Sequence, residues 1–462
     1  MNTVLYCILV YILLQLVIAF WFSRKNRNEA DYLLAGRSLG PWMATFSVFA
    51  TWFGAETCIG AAGEAYSQGM AGVLSDPFGY TAGIVLMGVF FAAALWKRGL
   101  MTLADLFRQR YGIGVERLAS IIMIPSSVMW AAAQIRAFGQ VLASASELGI
   151  FAAITLAAVV VIAYTAVGGM WADAVTDLLQ GIVLIAGVLV LGAVFIQLGG
   201  LHTLATLPPD RTSFLSGRSW LNAVDTFAVP VFSTIAAQEL ASRVLAMRGP
   251  GLARVATIGA GFMYLLIGAV PVMVGLGASA YIGSGANAEQ VLALFAQKYL
   301  TLPLYILFLG ALVSAILSTL SGALLVAGSL AAHNLLAPLA PRLSDAAKLK
   351  ANRIAVILFG LVAYGIALAS ESVYALVQES SGLGSAGILV VMLFALWSAK
   401  TGGAPSAYAA LIAGTLTFIA ATHLWQWDYA YLASLAAALL AYLACVPWRD
   451  TRVPGVQTAA VQ

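Results

Sequence analysis

The chain has 462 residues, 62% of them hydrophobic and only 9% charged, with a formal net charge of +4. That balance excludes a soluble globular domain. The small positive excess reflects membrane topology and is not a nucleic-acid footprint.

Thirteen apolar stretches follow one another: 4–22, 41–63, 74–96, 116–146, 150–168, 173–198, 220–245, 252–280, 302–336, 350–369, 371–398, 404–423 and 427–447. Most match the ~20 residues that a helix needs to cross a bilayer. They lack the short alternation of membrane-barrel strands. The predicted fold is therefore an all-α integral membrane protein of about thirteen transmembrane helices. The first stretch has no basic region before it and no clear cleavage site, so it reads as a retained span. Of the lysines and arginines, nineteen fall after odd-numbered spans or in the tail, and three (Arg211, Arg218, Lys298) fall on the other side. Basic residues mark the cytoplasmic face. This predicts a multi-pass protein of the inner (plasma) membrane, N-terminus outside and C-terminus cytoplasmic. The connections are too short for an independent core, so 1–462 reads as one membrane domain ending in a polar tail, 451–462. Cys7, Cys58 and Cys445 show no paired spacing, and neither a disulfide nor a metal site is predicted.

Two stretches read as interrupted helices. In 41–63, Gly54, Glu56, Gly60 and Gly63 break up an apolar run. In 220–245, Pro230 precedes the polar cluster Ser233, Thr234, Gln238 and Glu239. They lie five spans apart. Paired discontinuous segments of this kind point to an inverted repeat with a site between its halves, here 41–198 and 220–398. The stretches 4–22 and 404–447 are then peripheral.

Ionisable residues inside spans need a partner or a function. Arg136, flanked by Gln134 and Gln140, is the one basic residue that lies well inside a span and away from its ends. It has two readings: a guanidinium for a substrate carboxylate, or a buried partner for Glu56 or Asp76. Asp173 reads as a helix cap, and Asp177, one turn deeper, as either a hydrogen-bonding or an ion-site residue. Asp225 sits near a helix start, where capping competes with function. Glu239 and Arg243, spaced i, i+4, read as a structural pair.

The run Ala315-Ile-Leu-Ser318-Thr319-Leu-Ser321-Gly322 puts residues 315, 318 and 319 on one helical face. Its hydroxyls could bond back to Ser314 and Ala315. Clustered beside a broken helix, they instead suggest oxygen ligands for a small, hard cation. The three histidines, His202, His333 and His423, are far apart, and no phosphate-binding glycine loop occurs. No enzyme is predicted.

These residues resemble the sodium:solute symporter family. The motifs are Asp31-Tyr-Leu-Leu-Ala-Gly36-Arg37-Ser38, Phe49 through Gly60, Tyr164 through Gly169 with Thr176-Asp177-Leu-Leu-Gln180-Gly181, Gln238 through Ala246, and Ser318-Thr319-Leu-Ser321. The resemblance implies a LeuT-type fold of five plus five inverted helices and symport of a small solute with sodium by alternating access. It implies a sodium site from the carbonyls of Ala50, Phe53 and Ala315 and the hydroxyls of Ser318 and Thr319. Asp177 and Ser321 could support a second sodium, although Gly322 stands where some two-sodium members have serine. The implied substrate positions are Glu56, Thr57, Asp76, Gln134, Arg136, Gln238 and Gln378, with Ser380 and Ser381 flanking Gly382-Leu-Gly384. An amino acid or carboxylate is favoured, with sugar possible. The implied partners are substrate, sodium and the lipid bilayer, with no organic cofactor, nucleic acid or required partner protein. The rivals are proton coupling through Asp177 or Glu56, a solute sensor acting with a partner, and a channel.

Overall fold

The computed structural model describes residues 3–144, 146, 148–339, 344–370, 372–398 and 400–448. The predicted tail 451–462 lies outside the described residues. The architecture is helical throughout, and its elements follow in chain order. Helix α1 spans Thr3–Ser23 and α2 Pro41–Trp52. Past a break come the turns Glu56–Ala61 and α3, Ala62–Gln68. Helix α4, Tyr80–Leu86, continues through Met87–Phe91 to Ala92–Trp96. Then come α5 Ile113–Ser144, α6 Ile150–Gln197, α7 Trp220–Ala236, α8 Gln238–Leu245 and α9 Pro250–Gly277. The last elements are α10 Leu302–Ser329, α11 Asp345–Ala369, α12 Val373–Gly382, α13 Ser385–Trp397, α14 Ala404–Ile419 and α15 Ala430–Ala444.

Local chemistry sets the ends and the breaks. Pro41 and Pro250 open their helices, where a missing N–H costs nothing. Ser219, Ser344 and Ser372 accept N-cap hydrogen bonds from Asn222, Ala347 and Ala375. Helix α2 stops at Phe53, which turns to φ −81°, ψ 79°. Helices α7 and α8 meet at Ala237 with a 41° bend. Between α12 and α13, Gly384 takes the left-handed φ of 72°.

By length and apolarity, nine helices of the described residues can cross a membrane, or ten if the bent pair α7–α8 is one span. That differs from the thirteen stretches of the sequence for two physical reasons. The helical runs Glu56–Trp96 and Ile150–Gln197 hold 41 and 48 residues. Straight helices of those lengths would reach about 60 and 70 Å at 1.5 Å per residue, well beyond one ~30 Å hydrocarbon core, and the first is broken at Gly69, φ 69°, and at Asp76, φ −131° and ψ 122°. The second is bent at Gly169, φ 69°, where Asn26 Nδ2 donates to the Gly168 carbonyl over 2.7 Å. Conversely, breaking a helix leaves pieces such as α2 too short to qualify alone.

Helix α10 is the hub. In its most apolar window 78% of residues are buried, against 33% for α1, α11 and the α14 segment. It packs on α6, α5, α11 and α2. A short backbone pairing, Leu39 N–H to Ala246 carbonyl at 3.1 Å and Arg248 N–H to Leu39 carbonyl at 3.2 Å, ties the entry to α2 to the exit from α8.

Candidate functional site

The break after α2 faces the hydroxyl run of α10. The Ser318 hydroxyl donates to the Ala50 carbonyl at 2.8 Å and lies 3.0 Å from that of Ala315. The Thr319 hydroxyl reaches the same Ala50 carbonyl at 3.2 Å. Thr319 therefore does not bond back to Ala315, and Ser318 turns to Ala315 rather than Ser314. Two hydroxyls and two carbonyls, all in residues at most 1% exposed, form an oxygen-only cluster between two helices. Phe53 ends the same half-helix, donating its N–H to Phe49 at 2.8 Å. An oxygen cage of this kind suits a hard monovalent cation.

Glu56 and Gln134 border this cluster. A Cβ placed on Gly54 would sit 2.7 Å from both Thr319 Oγ1 and Glu56 Oε2. Gln134 bridges the break: its Nε2 donates to Glu56 Oε2 at 2.6 Å, and its Oε1 accepts from Ala55 N–H at 3.0 Å. Asp76 accepts from Thr57 and from Tyr264 on α9, each at 2.9 Å.

Below the hydroxyl run lies a buried charged group. Arg243 of α8, 1% exposed, donates to Asp173 and to Thr51 Oγ1, the latter at 2.8 Å, and lies 3.7 Å from Asp177. Ser321 also donates to Asp173, and Ser47 donates to Asp177 at 2.7 Å. A Cβ on Gly322 would stand 2.9 Å from Arg243 Nη2. Two sequence readings are corrected here. Asp173 is an ion-pair partner rather than a cap. Arg243 pairs across the bundle and not with Glu239, which accepts from Ser127 at 2.6 Å. Asp177 and Ser321 thus stand around a guanidinium. Asp225 caps a different helix, accepting from Leu432 N–H at 2.7 Å in the first turn of α15.

Beside the breaks is a cavity of about 60 Å³, lined by Trp52, Tyr80, Trp130, Ser126, Ser127, Thr234, Gln238, Glu239, Ser380 and Ser381, among others. Trp52 and Trp130 meet edge to face with ring centroids 5.3 Å apart, and Trp52 Nε1 donates to Thr234 at 3.0 Å. Tyr80 reaches Ser381 at 3.3 Å. Of the sequence-derived substrate positions, Gln238, Ser380 and Ser381 line this cavity. Glu56, Thr57, Asp76 and Gln134 form the polar network beside the break. Gln378 bonds Ser75 and Tyr374, each at 3.0 Å. Arg136 donates to the Ser370 carbonyl, whereas Glu56 and Asp76 take their hydrogen bonds from Gln134, Thr57 and Tyr264. Sequence reasoning missed the aromatic wall, since a tryptophan in an apolar run reads equally well as core or lipid-facing. Its one signal was Trp52 inside the broken segment.

Helices broken in pairs around a central oxygen cluster define a LeuT-type membrane transporter. The sodium:solute symporter family model matches residues 32–414, and the chain belongs to that family. It is similar to the high-affinity choline transporter 1 of Drosophila melanogaster, 28% identical over 397 residues, which cover 81% of this chain and 64% of that one. The chain therefore spans just under two thirds of that relative's length. It is also similar to the high-affinity proline transporter PutP of Bacillus subtilis, 27% identical over 92% of this chain and 94% of that one. In fold it matches a Na+-coupled sialic acid symporter solved in a substrate-bound outward-open state. The TM-score is 0.86 and the identity 17%, over 97% of this chain and 98% of that one. Mhp1, a nucleobase-cation-symport-1 family transporter in a closed conformation, follows at TM-score 0.62 and 15% identity, over 90% and 93% of the two chains. The family and these relatives are transporters, not enzymes.

Proposed function

We propose that the chain is a sodium-coupled symporter of a small solute carrying an ammonium group, working by alternating access. One observation carries the ion assignment: Ser318 and Thr319 both converge on the carbonyl of Ala50 at the helix break. Sodium held by these groups, with the carbonyls of Ala315 and Phe53, would bind α2 to α10 in one conformation and release them in another. That difference in affinity is what couples an ion to a conformational equilibrium.

The solute assignment rests on the cavity. Trp52, Tyr80 and Trp130 contribute aromatic rings, and Glu239 a carboxylate, to the lining of one space. Aromatic faces attract cations within about 6 Å. A quaternary amine and an amino acid both carry such a cation, in keeping with the choline and proline relatives. We propose a single coupling sodium, with Asp177 and Ser321 serving the Arg243 group. The halves 41–198 and 220–398 would form the inverted repeat, in a plasma membrane with the C-terminus in the cytoplasm. The test is a thermal-shift screen of purified protein against choline, proline, sialic acid and glucose, with and without sodium. A sodium-dependent shift with an ammonium-bearing solute supports the reading. A shift with glucose alone overturns the solute class.

A further inference from the structure

Glu56 and Asp76 are each 2% exposed, and among the described residues neither has an ion-pair partner. An ionised carboxylate in that position is strongly disfavoured. The surroundings of Asp76 show how the charge is removed. Three contacts close a triangle: Thr57 Oγ1 to Asp76 Oδ2 at 2.9 Å, Tyr264 hydroxyl to Asp76 Oδ1 at 2.9 Å, and Thr57 Oγ1 to the Tyr264 hydroxyl at 2.6 Å. Thr57 and Tyr264 each have one hydroxyl proton. If Asp76 is ionised, two protons serve three contacts, and one side of the triangle is two lone pairs facing each other. A third proton on Asp76 fills every side. Asp76 then donates to Thr57, Thr57 to Tyr264, and Tyr264 back to the second carboxyl oxygen.

We propose that Asp76 is a proton-binding site. A proton from solvent forms the O–H bond on Oδ2, and the closed ring fastens the segment just past the helix break to α9. This does not depend on which ion or solute the transporter carries. The titratable groups near it are Glu56 and Cys58 beside Thr57, Tyr80 on α4 and Tyr264 on α9. Tyr374 on α12 reaches the neighbouring Ser75 at 3.2 Å. On α7, which packs against this segment, the acid Asp225 bonds Leu432 instead. None of these groups supplies a positive charge. Glu56 is the poorer proton holder. Its Oε2 already accepts from Gln134, and its buried Oε1 has no hydrogen-bond partner to which a proton could be passed.

The test is infrared spectroscopy of the purified full chain at neutral pH, with and without aspartate labelled with ¹³C at the side-chain carboxyl carbon. A protonated-carboxyl C=O band that shifts on aspartate labelling, is lost in Asp76→Asn and is kept in Glu56→Gln is the expected result. Asparagine preserves one donor and one acceptor, so Asp76→Asn retains the ring's shape. A wild-type spectrum with no label-sensitive protonated-carboxyl band overturns the proposal, and needs no variant to fold. So does a band that survives Asp76→Asn, or one that vanishes only in Glu56→Gln. In proteoliposomes, the wild-type uptake rate should change by up to about tenfold per pH unit across the Asp76 titration, the limiting slope for one proton. Asp76→Asn should flatten that profile.

Discussion

Gly54→Ala probes the link between the helix break and the proposed ion cage. The added Cβ would stand 2.7 Å from Thr319 Oγ1, 2.7 Å from Glu56 Oε2 and 3.1 Å from Gln134 Oε1. Thr319 can yield only by switching to its other helical χ1 rotamer, which turns the hydroxyl towards a carbonyl of its own helix. Turning its hydroxyl away also removes it from the Ala50 carbonyl, 3.2 Å off. Glu56 is held by Gln134 at 2.6 Å. Overpacking of this kind typically costs about 1–3 kcal/mol, which corresponds to roughly a 5- to 150-fold weaker sodium interaction. The assay is a sodium titration of solute uptake in proteoliposomes, alongside a melting curve to show that the variant folds. A folded Gly54→Ala protein with the wild-type sodium half-saturation would refute the placement of the cage.

Trp130→Ala should weaken solute binding by roughly two- to thirtyfold, the range of one desolvated cation–π contact at about 0.5–2 kcal/mol. Glu239→Gln should weaken a cationic solute more than a neutral one. Calorimetric titration of both variants would check these two effects. Arg243→Ala leaves the buried Asp173 and Asp177 without their cation and should destabilise the fold by about 3–5 kcal/mol. The charge-balanced pair Asp173→Asn with Arg243→Gln should lose less, as read from denaturation in detergent. Outside the spans, burial acts to raise the Asp105 carboxyl. Hydrogen bonds from His333 and from the Thr102 and Met101 N–H groups outweigh it and hold that carboxyl below the usual carboxylate range. Its stabilisation is therefore present above the unfolded value of about 3.9 and lost as pH falls through the lower folded value. Asp105→Asn should show a smaller loss of melting temperature on acidification below about pH 4.

The sequence made the skeleton of the site readable because helix breaks are local. Gly54 next to Glu56, Pro230 before Gln238, and Gly382 with Gly384 each interrupt an apolar run within a few residues. The hydroxyl face at 315, 318 and 319 was readable for the same reason, as spacing along one helix. What stayed hidden was long-range pairing. Arg243 finds Asp173 seventy positions away, whereas the i, i+4 rule offered only Glu239. Trp130 and Trp52 become a wall only when α5 is laid against α2. The span count diverged at Gly169, where the separate stretches 150–168 and 173–198 of the sequence join in one helical run, Ile150–Gln197, whose backbone leaves helical geometry only at that glycine, φ 69° and ψ 178°.

Sodium coupling is tested most directly by uptake of radiolabelled choline and proline into proteoliposomes under an inward sodium gradient. Wild type is compared with Ser318→Ala/Thr319→Ala, and potassium replaces sodium as the control. The account predicts sodium-stimulated uptake of an ammonium-bearing solute in the wild type and none in the double variant. Equal sodium stimulation in the two proteins would contradict it.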